Sequence, residues 1–153
     1  MAMSNQNTLT ELSAYPIVTT WPIQWGDQDA FGHVNNTVPI RWFESSRLAY
    51  LEQTPLHALG VPGGLGPILA AIHCDYRSQL TYPDTIHVGA RIAAIGRTSF
   101  KMEHAVYSEA GRSIAAEGDS VVVVFNYETQ KPTRVPDEVR AVIEAIEGRS
   151  LSS

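Results

Sequence analysis

The chain has 153 residues and a formal net charge of −5, with 44% apolar and 18% charged residues. That length and balance fit one globular domain with a full core and exclude a disordered chain. The negative total argues against duplex nucleic acid as a partner, since phosphate binding needs clustered cations, and no stretch reaches the ~18 apolar residues of a membrane span.

Residues 1–13 are polar and read as a mobile tail ahead of a domain over 14–150. They lack a basic n-region and an apolar h-region, so no secretory signal is expected and a cytoplasmic setting is the default. "YPIVTTWPIQW" (15–25) then alternates, with Ile17, Thr19, Trp21, Ile23 and Trp25 on one face of a strand. Pro22 falls on the other parity, which suits an edge or the end of a ladder.

The stretch "WGDQDAFGHVNNTVPIRWFESSR" (25–47) gathers Asp27, Asp29, Gly32, His33, Asn35 and Asn36 just before a helix over about 36–53. Asn36 or Thr37 is placed to cap it, and Pro39 falls in the first turn, where a missing N–H costs little. At 100° steps the helix is apolar nearly all round, so burial on most sides is expected. Glu44 and Arg47, three apart, are expected to pair within that apolar setting.

A Gly/Pro-rich linker (54–66) leads to four alternating or continuous apolar segments, read as consecutive strands joined by hairpin-like turns at 81–84, 95–98 and 108–112. In the first, Ile68, Ala70, Ile72, Cys74 and Tyr76 share a parity. The last ends in "VVVVF", as expected of a central strand. The lone Cys74 forms no internal disulfide and reads as an inert, buried thiol, and no CxxC or HxxxH spacing suggests a metal. "PDEVRAVIEAIEG" is an amphipathic helix presenting Val139, Val142, Ile143 and Ile146, with Asp137 and Glu138 at its positive end. The layout is an α+β domain whose antiparallel sheet must curl about its helix. The sheet edges and outer face left over predict self-association, a dimer at least.

The order of strand, "DQDAFGHVNN", long helix with "RWFESSR" and four strands resembles the hot-dog-fold acyl-CoA thioesterases of the 4-hydroxybenzoyl-CoA type over about residues 15–136. Asp27, Asp29, Gly32, His33, Val34, Asn35, Asn36, Phe43, Glu44 and Arg47 carry the likeness, with weaker support from "GRTSF" (96–100) and "KPTRVP" (131–136). The resemblance implies a curved antiparallel sheet wrapped around the long helix, with the C-terminal amphipathic helix added. It also implies hydrolysis of a small-molecule acyl-CoA thioester without metal or cofactor, in a dimer or tetramer. The essential carboxylate would be Asp29, and the donor that polarises the carbonyl would be the N–H near Asn36. Relatives usually carry Tyr three residues after the second Asn; Pro39 stands there in this chain.

The chemistry fits those residue types. A carboxylate activates water or attacks directly, and a helix N-terminus offers unpaired N–H groups where the carbonyl oxygen becomes negative. His33 is a candidate for orienting substrate, beside a reading as a packed loop residue. Coenzyme A needs cations, and Arg97, Thr98, Ser99 and Lys101 with Arg134 are the candidates. Two alternatives stand: an acyl-CoA or acyl-carrier-protein binding protein without turnover, and an enoyl-CoA hydratase of the same fold. The hydratase pairs Asp with a His five residues later, whereas His33 follows Asp29 by four and Asp27 by six.

Overall fold

A computed structural model describes residues 10–57 and 64–151. Most of the tail expected over 1–13 and the middle of the 54–66 linker lie outside the described residues. In chain order the elements are β1 (Ile17–Pro22), α1 (Thr37–Leu51), β2 (Leu65–Tyr76), β3 (Thr85–Ile95), β4 (Ser99–Ser108), β5 (Ser113–Asn126), β6 (Lys131–Pro132) and α2 (Asp137–Glu147). All strand pairs are antiparallel, in the order β1-β3-β4-β5-β2, with β6 beside β5.

That order corrects one expectation. β3, β4 and β5 are joined by hairpins, but β2 pairs with β5 and not with its sequence neighbour β3. Residues 77–84 are therefore a crossover from one side of the sheet to the other. On the way Leu80 and Asp84 accept backbone bonds from Val34 and Ile23, at 2.8 and 2.9 Å. β1 ends at Pro22 on an edge, as a residue without an N–H requires. Trp25 leaves the strand for a 3-10 turn and is exposed.

Alternation sets which face packs under α1. Ile86, Val88, Ala90 and Ile92 of β3, and Phe100, Met102, His104 and Val106 of β4, are all buried. A bulge between Ile92 and Ala94 then resets the parity, so that Ile95 takes the next inner place opposite Phe100. A second bulge between Leu69 and Ala71 does the same in β2. Ile68 lies opposite Val123 and Ile72 opposite Ser120, so they sit on opposite faces and the single alternation expected over Ile68–Tyr76 is broken. β5 needs Gly118, because a Cβ there would come 1.9 Å from the His73 carbonyl oxygen.

α1 lies over β1, β3 and β4. It buries Val38, Trp42, Phe43, Ser46, Arg47, Tyr50 and Leu51 but leaves Arg41, Glu44 and Leu48 exposed, so within one protomer it is not covered all round. Its two halves belong to different apolar clusters. Val38, Trp42 and Phe43 pack with Val88 and Val106; Tyr50 and Leu51 pack with Ile92, Phe100 and Ile143.

Between the clusters runs a polar seam of Ser46, Arg47, His104 and Ser120. Arg47 forms no ion pair with Glu44, and its Nη1 has no hydrogen-bond partner among the described residues. His104 stacks on Phe43 at 4.9 Å, and its Nε2 is 3.4 Å from Ser120 Oγ. Burial, and then the Arg47 charge, push the His104 pKa down to about 3. α2 closes the far end with Val139 and Ile143 buried, and stops at Gly148 in the left-handed region (φ 71°). Its Glu147 accepts from the Tyr50 hydroxyl at 2.6 Å and the Ile92 amide at 3.0 Å, tying both helices to β3.

Candidate active site

The polar stretch before α1 folds into a small hairpin. Asn35 N–H donates to the Asp27 carbonyl at 2.9 Å, Gln28 bridges Val34, and Asp29 N–H donates to the His33 carbonyl at 2.9 Å. Gly32 closes the tip with φ 82° and donates to the Asp29 carbonyl. No atom lies within 4 Å of where its Cβ would be, so the backbone angle alone calls for glycine there. Asp27 is a structural anchor: its Oδ2 accepts the Gln24 amide at 2.8 Å.

Asp29 is half-buried on this hairpin, and its Oδ1 accepts the Phe31 amide at 2.9 Å in an Asx-turn. Oδ2 has no hydrogen-bond partner among the described residues. The turn fixes the carboxylate and leaves one oxygen available to a ligand. Along the returning strand of the hairpin, Asn36 lies three residues beyond the rung of Asp29, roughly 10 Å at strand rise.

The first turn of α1 is capped differently from the expectation. Asn36 makes no side-chain cap bond. Asn35 takes that role: its Oδ1 accepts both the amide (2.9 Å) and the hydroxyl (2.8 Å) of Thr37, and its carbonyl accepts the Val38 amide at 3.0 Å. Residue 39 is proline. Thr37 and Val38 are thus paired and Pro39 has no N–H. The Asn36 amide is the donor of this group without an acceptor among the described residues.

Asn36 lines a cavity of about 240 Å³. Val34, Pro39, Leu80, Ala115 and Ala116 supply apolar wall; His33, Asn36, Tyr76 and Ser78 supply polar edges. The strand-end Tyr76 donates its hydroxyl to the Asn36 carbonyl. Tyr76, Ser78, Leu80 and Ala115 carry no motif in the sequence; the crossover brings them to the helix start. Arg77 also lines the cavity, and its guanidinium is paired with Glu117 at 2.6 Å.

The candidate cations sit elsewhere. Ser99 pairs with Val123, whereas Ala116 at the cavity pairs with Val106, so Ser99 lies seven residues along β4, about 23 Å away, with Lys101 two residues nearer and Arg97 and Thr98 just before the strand. Arg97 and Lys101 are exposed. Arg134 pairs with Asp137 at 3.1 Å. The chain therefore brings His33 and Asn36 to the cavity at one end of the sheet, with Asp29 on the adjoining hairpin but not among the lining residues, and the candidate cations to the other end. Cys74 is half-buried, and burial raises its thiol pKa. Among the described residues no group of three or more His, Cys, Asp or Glu side chains could hold a metal ion, and no helix is long and apolar enough to cross a membrane.

A family model described as the thioesterase-like superfamily matches residues 23–143. Among solved structures, a thioesterase superfamily protein of Jannaschia sp. CCS1 is 29% identical, with a TM-score of 0.84 over 95% of this chain and 93% of that one. A thioesterase of Thermus thermophilus, solved in complex with coenzyme A and zinc, is 29% identical, with a TM-score of 0.78 over 89% of this chain and 98% of that one. The Bacillus subtilis (strain 168) protein YsmA is 23% identical over 125 residues, 79% of this chain and 80% of YsmA.

Proposed function

Because the chain belongs to the thioesterase-like superfamily, we propose that it hydrolyses an acyl-CoA thioester to the free acid and coenzyme A. The observation that carries this reading is the first turn of α1. Its neighbouring donors are spent and the Asn36 amide is left open beside a cavity, a few hairpin rungs from Asp29. A thioester carbonyl set there places its oxygen at the positive end of α1, which stabilises the charge that develops on attack. Asp29 takes a proton from water, or adds to the carbonyl itself before water releases the acid. By either route the C–S bond breaks and the thiolate leaves without needing a strong acid. The Thermus thermophilus likeness, whose structure contains coenzyme A, supports that carrier.

The separation of the cations from Asn36 has a simple resolution in a dimer. β2 has one sheet neighbour and exposes Leu69 and Tyr76. Antiparallel pairing of β2 with a second β2 would turn the partner end-for-end. The partner's start of β4, with its cations, would then approach this chain's Asn36 end, where coenzyme A phosphates need charge. His33 lines the cavity, which supports a part in orienting the acyl head.

Free thiol released from a panel of aliphatic and aromatic acyl-CoAs tests the activity, and Asp29→Asn is expected to lower kcat at least ~100-fold. Parental turnover by that variant would remove Asp29 from the mechanism. Tight acyl-CoA binding with no hydrolysis by the parent would make this a binding protein instead.

A further inference from the structure

We propose that Tyr76 is a positioning residue for this reaction, its phenol holding the residue whose amide polarises the thioester carbonyl. The inference rests on the hydrolytic reading above and goes beyond it, because no motif or catalytic group in that reading includes β2.

Residue 36 stands at the hinge between the hairpin and α1, with φ −60° and ψ −19°. A turn of tens of degrees about either angle would swing its N–H away from a bound carbonyl. Besides the first bond of α1 itself, which the Asn36 carbonyl accepts as N-cap, two contacts oppose that turn. On the hairpin side, the Asn35 carbonyl, in the same peptide unit as the Asn36 N–H, accepts the Val38 amide at 3.0 Å. On the helix side, the Asn36 carbonyl accepts the Tyr76 hydroxyl. The Asn36 side chain contributes no cap bond, and Asn35 Oδ1 is committed to Thr37. The phenol is therefore the contact from another element that holds residue 36 itself.

Tyr76 is well built for that task. Its strand position is set by pairing with Ala116, and its ring also forms cavity wall. A phenol keeps its proton at neutral pH, and burial raises the pKa of this one further, so it serves as a donor. A carbonyl only accepts, which fixes the direction of the bond. A donor misplaced by ~1 Å can lose a large part of its effect on rate, so a contact that never touches substrate still governs turnover.

Tyr76→Phe removes one O–H and keeps the ring. With the thioester that the parent hydrolyses best, kcat should fall ~10-fold while KM stays within about twofold, since the cavity wall is unchanged. Amide hydrogen exchange followed by NMR should quicken at Val38, whose bond to the Asn35 carbonyl closes the turn around residue 36, and the melting temperature should hold within a few degrees of the parent. Parental kcat, or a rise in KM with kcat intact, would make Tyr76 a wall residue and overturn the proposal. Asp29→Asn run alongside separates the two readings. If it abolishes turnover while Tyr76→Phe does not, the hydrolytic reading stands and this one falls. If the parent turns over no thioester, the exchange rate at Val38 still decides: quickened in Tyr76→Phe supports the positioning contact, unchanged refutes it.

Discussion

His104 is 1% exposed on β4, its ring stacked on Phe43 and its Nδ1 without a partner among the described residues, so protonating it in the folded chain sets a cation beside the Arg47 guanidinium. Burial and that charge hold its pKa near 3, against an ordinary value of 6.5. Below pH 6.5 the unfolded chain binds a proton here that the folded chain refuses. Stability from this site is thus complete above that pH and drains away as the pH falls toward 3, at up to about 1.4 kcal/mol per pH unit. Between pH 6.5 and 4.5 the loss is about 2 kcal/mol, a large share of the roughly 5–15 kcal/mol that holds a domain together. Urea unfolding of the parent and His104→Asn at matched protomer concentration, in half-unit steps from pH 7.5 to 4.5, isolates the effect from the carboxylates common to both. At pH 7.5 the variant should be the less stable, having lost the stacked ring. Its deficit should then shrink by about 1.4 kcal/mol per unit below pH 6. A deficit that does not change with pH would show that His104 protonates within the fold and that Arg47 does not oppose it.

Two further outcomes follow from packing. Gly118→Ala places a methyl 1.9 Å from the His73 carbonyl oxygen, on backbone that cannot swing aside. It should cost about 3 kcal/mol or more by chemical denaturation, with faster exchange along β2; a cost under ~0.5 kcal/mol would mean that the two strands separate easily at that point. Leu69→Arg puts a charge on the exposed face of the edge strand, and light scattering should report a dimer for the parent and a monomer for the variant. An unchanged mass would move the self-association away from β2.

The parts of the fold legible in the sequence are those where one periodicity runs uninterrupted. Phe100 to Val106 and Ile86 to Ile92 alternate and are buried as expected, and the four apolar positions of α2 all face inward, buried or half-buried. The bulges at Leu69/Ala71 and Ile92/Ala94 add a residue without any change of composition, so the flip of face they cause leaves no mark in the pattern. Nor does "TYPD" distinguish a hairpin from a crossover, since turn residues report a change of direction and not which strand comes next. The residue types around Asp29 mark a turn, since Asp, Gly and Asn each have a local conformational reason to be there, but not the hairpin pairing of Gln28 with Val34. Nor is the contribution of Tyr76 readable, because it depends on a pairing between segments 40 residues apart. Helical spacing alone predicts that Arg47 meets Glu44 one turn away; burial carries it to the sheet side instead, while Glu44 remains at the surface.

The crossover after β2 has a consequence for how the protein comes to exist. The meander from β3 to β5 closes through short loops, but β2 finds its neighbour only after the chain has been made as far as β5, and Tyr76 reaches its level only when Ala116 is beside it. Long loops must be closed before those contacts give any return, so the edge strand is expected to be laid down late. A ribosome-bound chain ending before residue 116 would hold Asp29, Asn36 and Tyr76, yet lack the strand that brings the last of them into place.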